Sequence, residues 1–439
     1  MSESLEIDPS SLEEFEEGAT SIICRARLAQ SGTVVAIKKA SGIRKWSREP
    51  HDIVKEIRII AESHHCNIIS FLGSRFNTSS SAWELWMPFI PLALHDLLDS
   101  PLFTPRECSE ISHLVIQSRT RANEPQEQIF TVLAKSIIHQ IVLAVNYLHT
   151  LHQPIAHRDV KPHNILLTLT GRVQLIDFGI AWQDVPIAVS SKDLWPEENS
   201  KMYCDVATGP FRAPELLFGP SSYDAFATDL WSLGASIANF FTAIQLFEIL
   251  EDDNDTDEEE QQPLKNGFVI PNNLSELSLR SARWTRKSLF NSERGEIGLV
   301  WSIFSIRGTP NSELWPGFED LPHAKKVEFR VVPSIDLREA LPNMPDDVLA
   351  VGSDHYPPQQ VHPTPLDLAQ RLLVYPPEQR LKAIDALRHP WFKHGAPPLL
   401  PIDHTDVKNA NDELLRRATT WRSRDLGFWL SCMTTATKR

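Results

Sequence analysis

The apolar positions near the N-terminus fall in short β-rich runs. Ser21 to Arg27 and Thr33 to Lys39 are two such runs, separated by the turn residues Gln30-Ser31-Gly32, and they predict a strand pair. The spacing then changes. Between Asp52 and Glu62, Ile53, Ile57 and Ile60 recur at helical intervals, with Val54 and Ile59 broadening the stripe, so a helix is expected there. Ile68 to Leu72 and Trp83 to Phe89 return to strand character. A longer helix is predicted over Glu127 to His149, where Ile129, Val132, Leu133, Ile137, Ile141, Val145 and Leu148 share one face. Short strands are expected at Ile165 to Thr168 and Val173 to Ile176, with Gly171 in the turn between them. Beyond Pro214 the pattern is helical, broken by Pro-rich loops. A small β-rich part before a larger helical one is an α+β order.

Leu230 to Leu250 is apolar enough to invite a membrane reading. Ser232, Ser236, Asn239, Thr242, Gln245 and Glu248 interrupt it and Asp229 precedes it, which fits a helix buried in a large core better. Two stretches read as insertions. Pro101 to Gln126 is polar and carries Arg119, Arg121 and Asn123; Glu251 to Arg286 opens with ten residues of which eight are acidic. Such a run cannot bury apolar area and is expected to stay solvated. Pro333 to Pro365 reads as an irregular surface connection.

The chain has 439 residues, 42% of them hydrophobic, which suffices for one large two-lobed unit. A net charge of −14 disfavours non-specific attraction to nucleic acid or anionic membrane. Cys24, Cys66, Cys108, Cys204 and Cys432 are scattered and odd in number, with no Cys-x-x-Cys pair, so neither a disulfide framework nor a zinc ribbon is expected. The acidic start, Met1 to Glu17, lacks the layout of a signal peptide, and a reducing intracellular setting (nucleus and cytoplasm) is expected. His64-His65-Cys66 is read as a loop rather than a metal site, and Trp83, Trp86, Trp421 and Trp429 as packing, since no basic stripe accompanies them.

The densest chemistry lies in His157-Arg158-Asp159-Val160-Lys161-Pro162-His163-Asn164-Ile165-Leu166, with Asp177-Phe178-Gly179 following eleven positions after Leu166. Transfer of a phosphoryl group needs positioning and charge neutralisation more than covalent help. Asp159 is placed to accept a substrate hydroxyl proton, and Asn164 and Asp177 offer the hard oxygen ligands that Mg²⁺ prefers.

With these motifs the chain resembles protein kinases of the cyclin-dependent (CMGC) group, over roughly Phe15 to Phe392. The resemblance implies a bilobal kinase fold. It divides the chain into an extension 1–14, an N-lobe 15–90, a C-lobe 91–393 with insertions near 101–126 and 251–286, and a tail 394–439. It also implies ATP and Mg²⁺ as cofactors, with Asn164 and Asp177 as metal ligands. Lys38 of Val35-Ala36-Ile37-Lys38 matches the lysine that holds the α- and β-phosphates, and Glu56 matches its helix partner. Lys161 is the lysine typical of Ser/Thr kinases, and Thr208 the threonine that bonds the catalytic aspartate. Glu215 and Arg380 match a buried structural pair, and Asp229 the group that ties down the catalytic loop.

For the adenine, Met87 matches the gatekeeper, Pro88 the next hinge position and Ile90 the residue whose N–H and C=O meet the base edge. Ile23, Ala36 and Leu166 would enclose the ring. Pro88 has no N–H, but that hinge position supplies only its carbonyl. The glycine-rich loop departs from the family: Gly18 is kept, while Glu16 and Ser21 stand where glycines normally do. Close backbone approach to phosphate is therefore restricted there.

The family's phosphothreonine pocket is also incomplete. Arg158 matches one of its three arginines, Lys55 and Trp182 replace the others, and Tyr203 stands at the threonine position. Two guanidinium forks are missing, so capture of a phosphate is weak. One of the loop acids Asp193, Glu197, Glu198 or Asp205 could take the place of the phosphate. This combination resembles the single-subunit fungal CDK-activating kinases. It implies cyclin-dependent kinases as substrates and a monomer that works without cyclin, with no nucleic-acid or membrane partner. Two other readings stay open: a cyclin-bound CMGC kinase with other substrates, and a catalytically weak scaffold. Turnover of Mg-ATP separates the last from the others, and activity of the chain alone separates the first two.

Overall fold

The computed structural model describes residues 6–106, 124–185, 191–248, 262–263, 282–345, 364–402 and 418–434. The acidic run Glu251 to Glu260, the Arg119 to Asn123 part of the first insertion, and positions 346–363 of the Pro-rich stretch lie outside the described residues.

Five antiparallel strands form the N-lobe sheet: β1 (Glu13–Glu17), β2 (Ile22–Arg27), β3 (Val34–Ser41), β4 (Gly73–Asn77) and β5 (Ala82–Pro88), in the order β1-β2-β3-β5-β4. The predicted turn closes β2 onto β3, with Gly32 N–H bonded to the Leu28 carbonyl and Gly32 at φ +69, a backbone that favours glycine. Successive side chains of a strand face opposite ways. Val35 and Ile37 therefore join Cys24 and Trp86 in a small apolar cluster, which leaves Ala36 and Lys38 for the other face.

Helix α1 (Ile53–Glu62) begins at Asp52, whose carboxylate accepts from the Val54 and Lys55 N–H groups. Its buried residues are Ile53, Ile59 and Ile60 together with Lys55 and Glu56. The expected strand at Ile68 to Leu72 does not form. Ile68 makes only an isolated parallel bridge to Leu175, and Ile69 N–H bonds the Leu175 carbonyl, so this backbone is tied to the larger lobe. The strand begins later, at Gly73.

The C-lobe is built round α2 (Gln126–Thr150), in which the predicted apolar residues are buried and so are Lys135, Ser136, His139 and Gln140. Among the described residues this is the one helix long and apolar enough to cross a membrane, and most of it is core. The hairpin β6 (Ile165–Leu167) and β7 (Val173–Leu175) packs beside it.

The helix expected over Leu230 to Leu250 is shorter and lies earlier. It is α3 (Ala225–Asn239), after which the Thr242 hydroxyl bonds the Asn239 carbonyl and the chain turns into β8 (Ile244–Glu248). That strand pairs with β9 (Ala282–Arg286), so the end of the second expected insertion belongs to the folded body. The reason is Arg286: its buried guanidinium donates to the carbonyls of Leu98, Phe103, Phe240 and Thr242, at 2.7, 2.5, 2.9 and 3.0 Å. These groups would otherwise be left unpaired away from water.

Part of the tail is equally integral. Lys135 Nζ donates to the carbonyls of His394 and Ala396. A last helix, α4 (Leu426–Met433), lays Leu426 against Gly171 and buries Trp429, Leu430 and Met433.

Candidate active site

Asp229 on α3 accepts from the backbone N–H of His157 and of Arg158, both at 2.7 Å, and so fixes the start of the catalytic loop. Arg158 and Asp177 hold left-handed backbone at φ +62 and +65. Such conformations cost energy and persist where the surroundings enforce them. Three predicted residues meet at Asp159. Thr208 Oγ1 donates to Asp159 Oδ1 at 2.8 Å, while Asn164 Nδ2 and Lys161 Nζ approach Oδ2 at 2.9 and 2.8 Å. Lys161 also reaches Thr208 Oγ1 at 2.6 Å. With three donors engaged, the Asp159 carboxylate is held in one orientation. Below this group the Glu215 carboxylate and Arg380 guanidinium form a buried two-pronged pair, both contacts at 2.7 Å.

Lys38 links the lobes. Its Nζ lies 2.7 Å from Glu56 Oε2 and 2.8 Å from Asp177 Oδ1. Burial opposes charge on Lys38, but the carboxylates of Asp177 and then Glu56 outweigh it and raise its pKa. Burial likewise works against an ionised Asp177, and Lys38 more than reverses that, holding it well below the usual carboxylate range. Glu56 is the most deeply buried of the three; burial pushes it up to about 7 in spite of Lys38. The Asn164 amide spends its Nδ2 on Asp159, so its remaining side-chain acceptor is Oδ1. An amide oxygen and an ionised carboxylate make a hard-oxygen donor set that fits Mg²⁺.

Strand register gathers several of the residues expected round the adenine. Ile23 pairs with Lys38, and Ala36 with both Arg25 and Met87, so Ile23, Ala36, Lys38 and Met87 share a sheet face. Leu166 lies on β6, paired with Ala93, and Ile90 follows β5, packed against the large core. Pro88 closes β5 opposite Val35. Sequence reasoning missed the aromatic group beside them. Phe15 on β1 meets Phe89 edge to face at 5.3 Å, and the Arg25 guanidinium lies over both rings. The only signal was one Phe just before the glycine loop and another between the hinge positions Pro88 and Ile90.

The hairpin Gly18 to Ser21 is closed by Gly18 N–H on the Ser21 carbonyl at 2.9 Å. Neither Glu16, Gly18 nor Ser21 takes positive φ, so the expected need for glycine's conformational freedom is not met here. The hairpin accommodates side chains in ordinary backbone. A small cavity beneath it is lined by Thr20, Lys38, Arg48, His51, Glu56 and Gly179. Arg48 and His51 had not been singled out from sequence. Glu16→Gly with Ser21→Gly is expected to tighten ATP binding by a factor of roughly two to five, since an exposed charge acts weakly through solvent. Calorimetric titration checks this; unchanged or weaker binding would mean that Arg48 already offsets the extra carboxylate.

The incomplete phosphothreonine pocket is occupied by Glu197. Its carboxylate meets Arg158 Nη1 at 2.8 Å and Nη2 at 2.5 Å, Lys55 Nζ at 3.4 Å and the Tyr203 N–H at 3.0 Å. Burial works against its charge, but Arg158 and then Lys55 lower its pKa. Asp193 goes to Arg58, and Asp205 lies on the exposed side of Arg212. Trp182 pairs in a two-residue strand with Ala156 and packs its ring on Phe226.

Comparison with known proteins agrees with this geometry. Residues 11–392 match the protein kinase domain family. The chain is 26% identical to human cyclin-dependent kinase 20, over 88% of this chain and 83% of that protein. It is 27% identical to a probable cyclin-dependent kinase 10 of Dictyostelium discoideum, over 87% and 78%, and 26% identical to the serine/threonine-protein kinase ppk23 of Schizosaccharomyces pombe, over 89% and 73%. A β-sheet lobe, a helical lobe, the Lys38–Glu56 pair and the Asp159 and Asp177 motifs between them place this chain in the protein kinase family, as a serine/threonine protein kinase of the cyclin-dependent, CMGC type.

Proposed function

We propose that this kinase phosphorylates the activation loops of cyclin-dependent kinases, as a monomer in nucleus and cytoplasm, without a cyclin and without a phosphate on its own loop. The observation that carries the reading is Glu197, which sits on Arg158 and Lys55 where a regulated relative would need a phosphate. A carboxylate carries less charge than a phosphate but is always present. The Lys38–Glu56 contact is already made in the single chain, which supports the same view.

In this reading Asp159 takes the proton of the substrate hydroxyl, with Thr208 and Asn164 orienting it. Lys161 meets the transferred phosphate, and Lys38, positioned by Glu56, holds the α- and β-phosphates of ATP. Gly18, Ile23, Ala36, Met87, Pro88, Ile90 and Leu166 surround the rest of the nucleotide. Asn164 and Asp177 would hold Mg²⁺, which when bound neutralises phosphate charge.

The protein made in bacteria, treated with phosphatase and assayed alone, is expected to phosphorylate an unphosphorylated cyclin-dependent kinase in preference to basic, Pro-containing peptides. Activity that appears only after loop phosphorylation or cyclin addition would move the chain to the cyclin-bound reading, which the names of its relatives favour. No turnover under any condition would leave the scaffold reading.

A further inference from the structure

We propose that loop residues 193–197 form an internal clamp on helix α1, holding it where Glu56 reaches Lys38. This rests on the reading that the kinase acts without an external activating subunit, and it names the element that replaces one. The loop reaches α1 through both side chains and backbone: the Asp193 and Glu197 carboxylates meet Arg58 and Lys55, and the Trp195 N–H meets Asp52 at the cap. On the helix side Asp52, Lys55 and Arg58 are spaced by three and so lie along one face.

The contacts are specific at each point. Asp193 takes Arg58 with both carboxylate oxygens, at 2.9 and 3.4 Å, while Gln183 Oε1 accepts from Arg58 Nη1 at 2.8 Å. The Trp195 N–H donates to Asp52 Oδ2 at 2.8 Å. The other oxygen of Asp52 caps α1, so one carboxylate ties the loop to the first turn of the helix. Trp195 Nε1 donates to Ser47 Oγ at 3.1 Å, and the Arg44 guanidinium lies over its ring at 5.5 Å, which fixes the segment leading into the helix. Glu197 joins Lys55 of α1 to Arg158 of the catalytic loop. Asp52 N–H in turn bonds the carbonyl of Gly179, next to the Asp177 that Lys38 touches.

Asp193 and Lys55 are buried. Breaking one side of a buried pair leaves a charge without compensation. Rotation or outward shift of α1 would therefore break two ion pairs and the cap tie at once, and would pull Glu56 away from Lys38. Arg58, Asp193 and Trp195 are positioning residues in this account: none touches ATP or substrate.

The test compares phosphatase-treated wild type with Arg58→Asp, Asp193→Arg, and the two together. Amide hydrogen exchange over residues 53–62 and turnover on a generic basic protein are the readouts. Each single variant is expected to speed exchange in 53–62 by roughly tenfold or more and to lower kcat/KM similarly, and the double variant to recover most of both, as coupled neighbours do. Asp193→Asn, which keeps the shape of the side chain and removes its charge from Arg58, should speed exchange in 53–62 while leaving α3 protected, and so serves if the charge-reversed variants fold poorly. Unchanged exchange in 53–62 in the single variants or in Asp193→Asn overturns the clamp, as does a double variant no better than either single. Exchange reports on the helix whether or not the chain turns over. A wild type that is inactive alone but slow to exchange would remove the cyclin-independent reading and leave the clamp standing.

Discussion

Asp177→Asn is expected to lower turnover by on the order of 10² to 10³-fold or more, the usual cost of losing a preorganised charge at the transferring group. The change is nearly isosteric. Asp177 sits at φ +65, a backbone that Asn tolerates better than most residues, so the fold should survive. What is lost is charge. Asp177 is one of two carboxylates on Lys38, and Lys38 keeps it ionised throughout the physiological range. With Asn there, Lys38 retains Glu56 alone, and the hard-oxygen pair with Asn164 loses its anionic member. Single-turnover phosphoryl transfer and a melting curve check this together. Equal rates in the two proteins would remove Asp177 from the chemistry.

Glu197→Ala is expected to lower activity at least roughly tenfold and to loosen the loop from Asp193 to Tyr203, because breaking a buried ion pair costs about 3–5 kcal/mol. It leaves the Arg158 guanidinium and Lys55 ammonium facing each other without the carboxylate between them. Two facing cations make an anion site, so millimolar sulfate should restore part of the activity in Glu197→Ala and none in wild type. The pH dependence has a fixed sign. The folded-state pKa of Glu197 is below its ordinary 4.5, so the contact is fully charged above that pH and is lost only as the pH falls through the lowered value. Full activity and an unchanged melting temperature in Glu197→Ala would show that the loop is held by its other contacts.

Much of the fold was legible in order along the chain. The β2–β3 pair, helix α1, the long α2 and the β6–β7 hairpin lie within a few residues of their predicted bounds, since each is encoded by local apolar spacing and a turn. Misreadings arose where distant partners decide. Ile68 and Ile69 look like a strand, but their backbone goes to Leu175, more than a hundred positions away. The end of α3 and the strand at 282–286 depend on Arg286, whose four carbonyl partners are scattered along the chain. The tail helix α4 gave no signal of its docking, because its apolar face matches a surface assembled from α2 and the β6–β7 turn.

The amino-acid sequence, through its resemblance to protein kinases, singled out Lys38, Glu56, Asp159, Lys161, Asn164, Asp177 and Thr208 as the candidates for the chemistry. The same resemblance put Lys55 and Trp182 where the family has phosphate-binding arginines. It left four loop acids as equal candidates for that pocket. Tertiary structure alone assigned Glu197 to Arg158 and Asp193 to Arg58, and brought Phe15 to Phe89. The physical reason is that charge attraction and ring packing act through space. Between residues 15 and 89, or 58 and 193, no local periodicity carries information about which side chains will meet.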